Sequence, residues 1–449
     1  MVSAPSVKGL ICPNCGAAIT LRTGAQAQTV VCDNCHAVLD AKDPNLKILQ
    51  KFDEKMTWRP EIPLGTRGTL KGDQYEAIGY QVRTIREDGV DYSWREYVLW
   101  NPYKGYRYLS EYDGHWNDIV VTTTPPTELS GGLTSAVEFH GETFKHFQTA
   151  MSTTVFILGE FPWQVKRGDR VRGRDFVSPP QMLSEEKTDQ ETTWSVGTYT
   201  TPQRIWEAFK LPGSPHEPRG VFENQPDDYA PAAKDLSALF GIFTLLLLVL
   251  LMGRMATAGN TKVFEESFQF RPGGGDSSAL VTKVFPITGR TSNVEVDISA
   301  DVSNSWAYFN LALINEGTGK AIDFGREVSY YFGSDADGSW SEGSSADRSF
   351  LPTVPAGNYF LRVQPEGPAD VRRFLTYRIV LRRDVPRLTW FLIALALLAV
   401  VPMIAVFRAW AFETKRWKES DHPPVLAQAQ AAAASDDDDD TEDSFKGAR

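Results

Sequence analysis

Residues 236–253 read LSALFGIFTLLLLVLLMG, and residues 388–407 read LTWFLIALALLAVVPMIAVF. The first run has 18 residues and the second 20, and neither carries a charge. At about 1.5 Å of rise per residue, each helix would be roughly 27–30 Å long, which matches the hydrocarbon core of a bilayer. The core helix of a soluble protein keeps a polar face. These runs are apolar all round and predict two transmembrane helices, at 236–253 and 388–407. Pro402 is tolerated in lipid and kinks the second helix. Trp390, Trp410 and Trp417 fall where aromatic side chains meet the headgroups. The lipid bilayer is therefore the first expected partner. The two runs separate an N-terminal region, a loop at 254–387 and a tail at 408–449.

The remainder of the 449 residues has an ordinary globular composition, 42% hydrophobic and 23% charged. A net charge of −11 argues against a protein held on nucleic acid by phosphate contacts. All four cysteines lie within the first 35 residues, which excludes a disulfide-stapled secreted scaffold. Their pattern is Cys12-Pro-Asn-Cys15, then Cys32-Asp-Asn-Cys35. A two-residue gap lets both sulfurs of a pair face one ion, and two such pairs make a four-thiolate tetrahedral site. The expected ligand is one structural Zn²⁺ on Cys12, Cys15, Cys32 and Cys35, with no position left for a reacting water. Gly16 gives the first knuckle room to turn, and His36 is read as a surface residue beside a complete ligand set. Residues 1–41 form this zinc ribbon, with short strands at 17–21 and 29–31. Some ribbons bind nucleic acid, but only Lys8 and Arg22 lie within residues 1–40.

Residues 42–58 suit a short helix or linker. From Leu64 onward, short aromatic and β-branched runs alternate with turn signals such as Lys71-Gly72-Asp73, Asn101-Pro102 and Asp113-Gly114. That texture predicts an antiparallel meander or small barrel over 60–210, closed by a short helix at 202–210. Leu64-Gly65, Ile78-Gly79-Tyr80, Trp94-Arg95-Glu96-Tyr97, Gly114-His115-Trp116 and Gly159-Glu160-Phe161-Pro162-Trp163 stand out by their aromatic and glycine spacing. With these motifs the stretch resembles the bacterial domain family of unknown function DUF4178. The resemblance covers under half the chain and brings no catalytic residues with it. It implies neighbours among small membrane proteins and polyamine-synthase-like proteins.

Signatures of nucleophilic hydrolases, HExxH metalloproteases, P-loops and dinucleotide folds are all missing from the sequence. His115 with Glu111 is the pair best suited to acid–base work. His140, His146, Glu96 and Asp113 are further candidates. The alternative is that Trp94, Trp100, Trp116 and Trp163 pack the barrel while the charges lie on its outside, and no catalytic residue is assigned. An aromatic groove for a peptide or small ligand stays open.

Residues 211–235 hold the proline-rich LPGSPHEPRG and read as an extended, mobile linker. The 254–387 loop shows about seven alternating strands with no helix between them, the pattern of a β-sandwich. Asp335, Asp337 and Glu342 are candidate calcium ligands, but the run lacks the full loop pattern and is read as a hydrophilic loop. After the second span, the basic aromatic segment 408–418 is expected at the headgroups. The five aspartates at 436–440 mark a solvated acidic tail.

The whole is expected to be a mainly β, multidomain protein of a bacterial inner membrane. Its zinc ribbon, barrel-like domain and tail would be cytoplasmic, and a β-sandwich between two spans extracytoplasmic. Basic residues flank both spans on both sides and do not decide orientation. The thiolate cluster and the want of an apolar run near Met1 place both ends in the reducing cytoplasm. The function read from this is a non-catalytic membrane-anchored interaction or scaffold protein. Other membrane proteins would be its partners, and homo-oligomers stay open. An enzyme or enzyme accessory acting on a small, polyamine-like substrate is the alternative.

Overall fold

A computed structural model describes residues 8–51, 58–87, 89–129, 135–189, 191–272, 279–336, 338–371 and 373–424. The chain divides into two units. One comprises the residues up to Leu236 with those from Met403 on, and the other is Ser237–Pro402.

In the first unit, five short strands form the cysteine-bearing module: β1 (Lys8–Ile11), β2 (Ala18–Leu21), β3 (Thr29–Val31), β4 (Val38–Asp40) and β5 (Ile48–Gln50). Strand β5 lies where a helix or linker was expected. Eleven more follow: β6 (Arg67–Leu70), β7 (Asp73–Glu87), β8 (Val90–Asn101), β9 (Gly105–Tyr112), β10 (His115–Thr122), β11 (Thr127–Leu129), β12 (Ala136–Phe139), β13 (Glu142–Phe161), β14 (Arg170–Ser178), β15 (Gln181–Lys187) and β16 (Thr192–Thr200). The order β7-β8-β9-β10-β16-β15-β14-β13 returns to β7, because β13 also pairs with β7. Eight antiparallel strands therefore close a barrel, which removes the edges an open sheet would expose.

Strand β13 makes this closure. Its first half pairs with β14 and its second with β7, and Glu160 and Phe161 then pair with Val30 and Thr29 of β3. The bend needs glycine. Gly159 has φ +85 and faces Gly79, and a Cβ on it would lie 2.2 Å from the carbonyl oxygen of Ile78. No side chain fits there.

Strand alternation sorts the residues into two faces. One face of β7–β10 carries Tyr80, Tyr97, Leu109 and Trp116. It packs under Ile62 and under Ile205 and Phe209 of helix α1 (Pro202–Phe209). Pro202 starts this helix, and Lys210, in the left-handed region, ends it. The other face points into the barrel.

Two further helices are α2 (Tyr229–Thr257) and α3 (Thr389–Trp417), each of 29 residues. Both are long and apolar enough to cross a membrane. Only 0% and 6% of their most apolar windows are buried by protein, unlike a soluble core helix. Each runs beyond the apolar stretch read from the sequence.

In the second unit, ten strands run from β17 (Thr261–Phe270) through β18 (Leu280–Val281), β19 (Phe285–Ile287), β20 (Ser292–Ala300), β21 (Ser305–Asn315), β22 (Ala321–Asp335), β23 (Gly338–Ser344), β24 (Ala346–Val354) and β25 (Gly357–Glu366) to β26 (Leu375–Arg383). They form two sheets, β17-β26-β20-β24 and β18-β25-β21-β22-β23, with β19 also on β25. Val296, Ile298 and Ile379 of the first sheet share one core with Phe309, Leu311 and Leu361 of the second. Asp384, just past β26, accepts from Arg254 of α2 at 2.8 Å and from the Gly259 N–H at 2.9 Å.

Two expectations change. The hydrophilic loop containing Asp335 and Glu342 is a hairpin, in which Asp335 pairs with Gly338 and Tyr331 with Glu342. Four strand residues of about 3.3 Å each separate Gly338 from Glu342, too far for both carboxylates to hold one calcium ion. Asp337 lies outside the described residues. The supposed linker is seated rather than mobile. Arg219 N–H donates to the Asp113 carbonyl at 2.9 Å, and Asn224, fully buried, donates to Asn117 Oδ1 at 2.8 Å and to the Pro180 carbonyl at 3.1 Å. Its prolines fix the path, and its polar groups find partners on the barrel.

Candidate metal centre and barrel interior

The two cysteine pairs fold into matching knuckles. Cys12 N–H donates to the Ala17 carbonyl (2.8 Å) and Cys32 N–H to the Ala37 carbonyl (3.0 Å). The residue after each second cysteine donates back to the first, Gly16 to Cys12 at 2.8 Å and His36 to Cys32 at 2.9 Å. Both residues are left-handed, with φ +76 and +56. His36 is thus half-buried and part of the second knuckle's turn, rather than a surface residue.

All four Sγ atoms lie within 4.8 Å of one another. Cys12–Cys35 and Cys15–Cys32 are each 3.7 Å apart. A disulfide needs about 2.05 Å. A tetrahedron with metal–sulfur bonds of about 2.3 Å has edges of about 3.8 Å. The cluster therefore fits a metal ion held by four sulfurs. Each knuckle also supports the other, since Asn14 Nδ2 donates to Cys35 Sγ (3.3 Å) and Asn34 Nδ2 to Cys15 Sγ (3.6 Å). Sequence spacing predicts the four ligands. It does not reveal these crossed asparagines, although the shared Asn at the third position of both pairs is their trace. The thiols differ: the Asn34 amide lowers Cys15 to about 6, whereas burial raises Cys32 to about 12 and also raises Cys12. A bound cation is what would make four thiolates compatible in one site.

The module is not free of the barrel. Glu160, buried on β13, accepts from Arg22 N–H (2.7 Å), Thr23 N–H (3.1 Å) and Thr23 Oγ1 (2.8 Å). Val31 and Val38 pack into one cluster with Ile78, Val98, Trp100, Ile157 and Phe161.

The histidine and carboxylate candidates are occupied. His115 is buried. Its Nε2–H donates to the Arg219 carbonyl at 2.9 Å, which leaves Nδ1 to accept from the Tyr199 hydroxyl at 3.0 Å. Burial holds its pKa below the usual histidine range, so the ring is neutral. Glu111 pairs with Arg95 and accepts from Gly114 N–H at 2.8 Å. The two side chains thus serve different partners and form no acid–base pair. His146 contacts His422 at 3.0 Å and Thr149 Oγ1 at 2.8 Å. His140 lines a hollow in the outer wall with Phe139 and Gln181.

The charges do not all lie outside. Arg83 on β7 pairs with Glu186 on β15. Two strands of the ring, β13 and β14, stand between β7 and β15. That contact is a chord through the interior. Arg83 also donates to Ser152 (2.7 Å) and Glu96 (3.5 Å), and Glu96 accepts from Trp94 Nε1 (2.6 Å) and Gln81 Nε2 (2.5 Å). Glu96 and Trp94, prominent in the sequence motifs, thus point inward.

A DUF4178 domain lies at residues 63–202, where the family described as "Domain of unknown function (DUF4178)" matches. That is the barrel. No curated protein matches the chain. Two solved structures, of the infectious bursal disease virus Gt and Gx strains, are 11% identical. They cover 71% of this chain and 80% and 78% of their own, with TM-scores of 0.15 and 0.14. Likeness at that level carries no argument about this fold.

Proposed function

We propose that the protein is a two-pass membrane-anchored scaffold, with a cytoplasmic ribbon and barrel joined through α2 and α3 to an extracytoplasmic sandwich. The observation that carries this reading is the pair of 29-residue helices whose most apolar windows are only 0% and 6% buried by protein. In water such surface would aggregate; in lipid it is at home. The cluster of Cys12, Cys15, Cys32 and Cys35 holds Zn²⁺, since four thiolates suit a soft tetrahedral ion. With no open ligand position, the ion is structural. Its reduced thiolates favour the cytoplasm for both chain ends, in a bacterial inner membrane. Partners are other membrane proteins or further copies of this chain, and nucleic acid is not among them. The structural engagement of His115 and Glu111 favours a non-catalytic barrel over an enzyme.

Sidedness is tested by single cysteines introduced at Ser344 and at Ser435, the latter outside the described residues. In cells whose outer barrier is permeabilised, a membrane-impermeant maleimide is expected to label Ser344→Cys. Ser435→Cys should react only after the inner membrane is broken. The reverse pattern would put the ribbon outside and end this reading. Extraction of the chain by alkaline carbonate would remove the membrane anchor altogether.

A further inference from the structure

The outer wall of the barrel carries a charge set that the fold leaves unbalanced. Glu185 and Lys187 flank the inward-pointing Glu186 on β15, so strand alternation turns both outward, together with their β14 partners Arg174 and Arg172. Arg170, two residues before Arg172, shares that face. Arg174 is matched, because it pairs with Glu185 across the rung and with Glu128. The neighbouring rung is not. Arg172 lies directly across from Lys187, and like charges in that position repel. Arg170, Arg172 and Lys187 are all exposed, and none has an ion pair or side-chain hydrogen bond among the described residues. In a chain with a net charge of −11, three adjoining unpaired cations are a local reversal of sign.

The C-terminal segment arrives beside this patch. Asp421 accepts from Thr149 N–H at 2.9 Å, and His422 meets His146 at 3.0 Å. Thr149 lies across from Arg174, and the exposed Met151 lies across from Arg172. Two strand residues, about 7 Å, and one strand spacing, about 5 Å, therefore separate the seat of Asp421 from Arg172. Beyond Pro424, eleven residues lead to the five aspartates at 436–440. Twelve links of chain reach up to about 40 Å, several times the distance to be covered. A segment tethered this closely acts at an effective concentration of roughly millimolar, whereas a free acidic partner meets the overall negative charge of the chain.

We propose that Arg170, Arg172 and Lys187 form a docking surface for an acidic peptide segment, and that its occupant is this chain's own run Asp436–Asp440. The inference does not depend on the scaffold reading. Two guanidiniums and an ammonium on one face offer charged N–H donors, and aspartate carboxylates are their natural acceptors. The Arg172–Lys187 rung, unfavourable by itself, becomes favourable once carboxylates lie over it. While the run occupies the patch, the patch is closed to acidic segments of other proteins.

The test is zero-length cross-linking of the full zinc-loaded chain, one copy per phosphatidylcholine nanodisc, with a water-soluble carbodiimide. This reagent joins a carboxylate to a lysine amine only where the two touch. Peptide mass mapping is expected to find 436–440 joined to Lys187 about ten-fold more often than to the equally exposed Lys145 or Lys166. Sodium chloride at about 1 M, or Arg170→Glu combined with Arg172→Glu, should cut the Lys187 product about five-fold or more. A second arm reads competition. A fluorescein-labelled peptide of residues 435–444 should bind the full chain with its five aspartates replaced by asparagine about ten-fold more tightly than the wild type, whose own tail competes. The inference is overturned if the three lysines are joined alike, if the double arginine variant leaves the Lys187 product unchanged, or if the peptide binds both chains equally. Loss of the Lys187 product in phosphatidylglycerol nanodiscs would also overturn it, and would make anionic headgroups the occupant.

Discussion

Replacing Cys32 by serine is expected to release the metal and to loosen the ribbon end of the barrel as well as the knuckles. The wild-type chain should carry one zinc per chain, and the Cys32→Ser chain far less. Structural zinc contributes about 10–16 kcal/mol of apparent binding free energy in small four-ligand modules, and that free energy is folding free energy. A ribbon joined only by covalent chain would lose it in private. Here β3 pairs with β13, Glu160 holds Arg22 and Thr23, and Val31 and Val38 pack against Ile157 and Phe161. Hydrogen exchange should therefore quicken in residues 157–161 of β13 as well as in β3 and β4. The sandwich strands should keep their protection. Loss of zinc with unchanged exchange at 157–161 would show that the two modules fold independently.

How much was legible in the sequence follows from the physics of each feature. The two long apolar helices and the cysteine cluster are legible because each is encoded locally. Eighteen uncharged residues need no tertiary context, and neither do two CxxC pairs. The glycine spacing was legible as a motif but not in its purpose, since only the register of Gly159 against Gly79 shows the close approach of β13 and β7. Strand alternation places Glu96 and Arg95 on opposite faces, but it cannot say which face closes inward. That is decided by β13 pairing with both β14 and β7, a contact between residues far apart in sequence. For the same reason the charges were expected outside the barrel, whereas Arg83, Glu96 and Glu186 meet within it. The proline-rich stretch was read from composition alone. Its partners, Asp113, Asn117, Pro180 and His115, come from other parts of the fold.

The segment after residue 407 also makes contacts that its local reading does not reveal. Residues 408–418 were expected at lipid headgroups and the rest of the tail in solvent. Helix α3 continues to Trp417, and within 408–418 Arg416 is buried in protein. Its guanidinium donates to the carbonyls of Phe222 (3.1 Å), Glu223 (2.6 Å) and Gln225 (2.6 Å) and pairs with Glu413 at 3.1 Å. Beyond it, Asp421 N–H donates to the Phe147 carbonyl and Thr149 N–H to Asp421 Oδ2, both at 2.9 Å. The aspartates at 436–440 lie outside the described residues.

The Arg416→Ala chain is therefore expected to lose about 1–3 kcal/mol of local stability, since removing this buried donor leaves backbone acceptors around it unsatisfied. The Glu223 and Gln225 carbonyls would lose this donor at once, while the Phe222 carbonyl keeps the Gln225 N–H at 3.1 Å. Arg416→Lys should recover only part, because one ammonium cannot reproduce the planar fork that reaches all three. Hydrogen exchange on the protein in nanodiscs is the measurement. Peptides covering 219–228 and 418–424 should exchange faster in Arg416→Ala, and least so in the wild type, with lysine between. Unaltered exchange at 219–228 in Arg416→Ala would mean that other contacts, such as Asn224 with Asn117, hold that turn without help from α3.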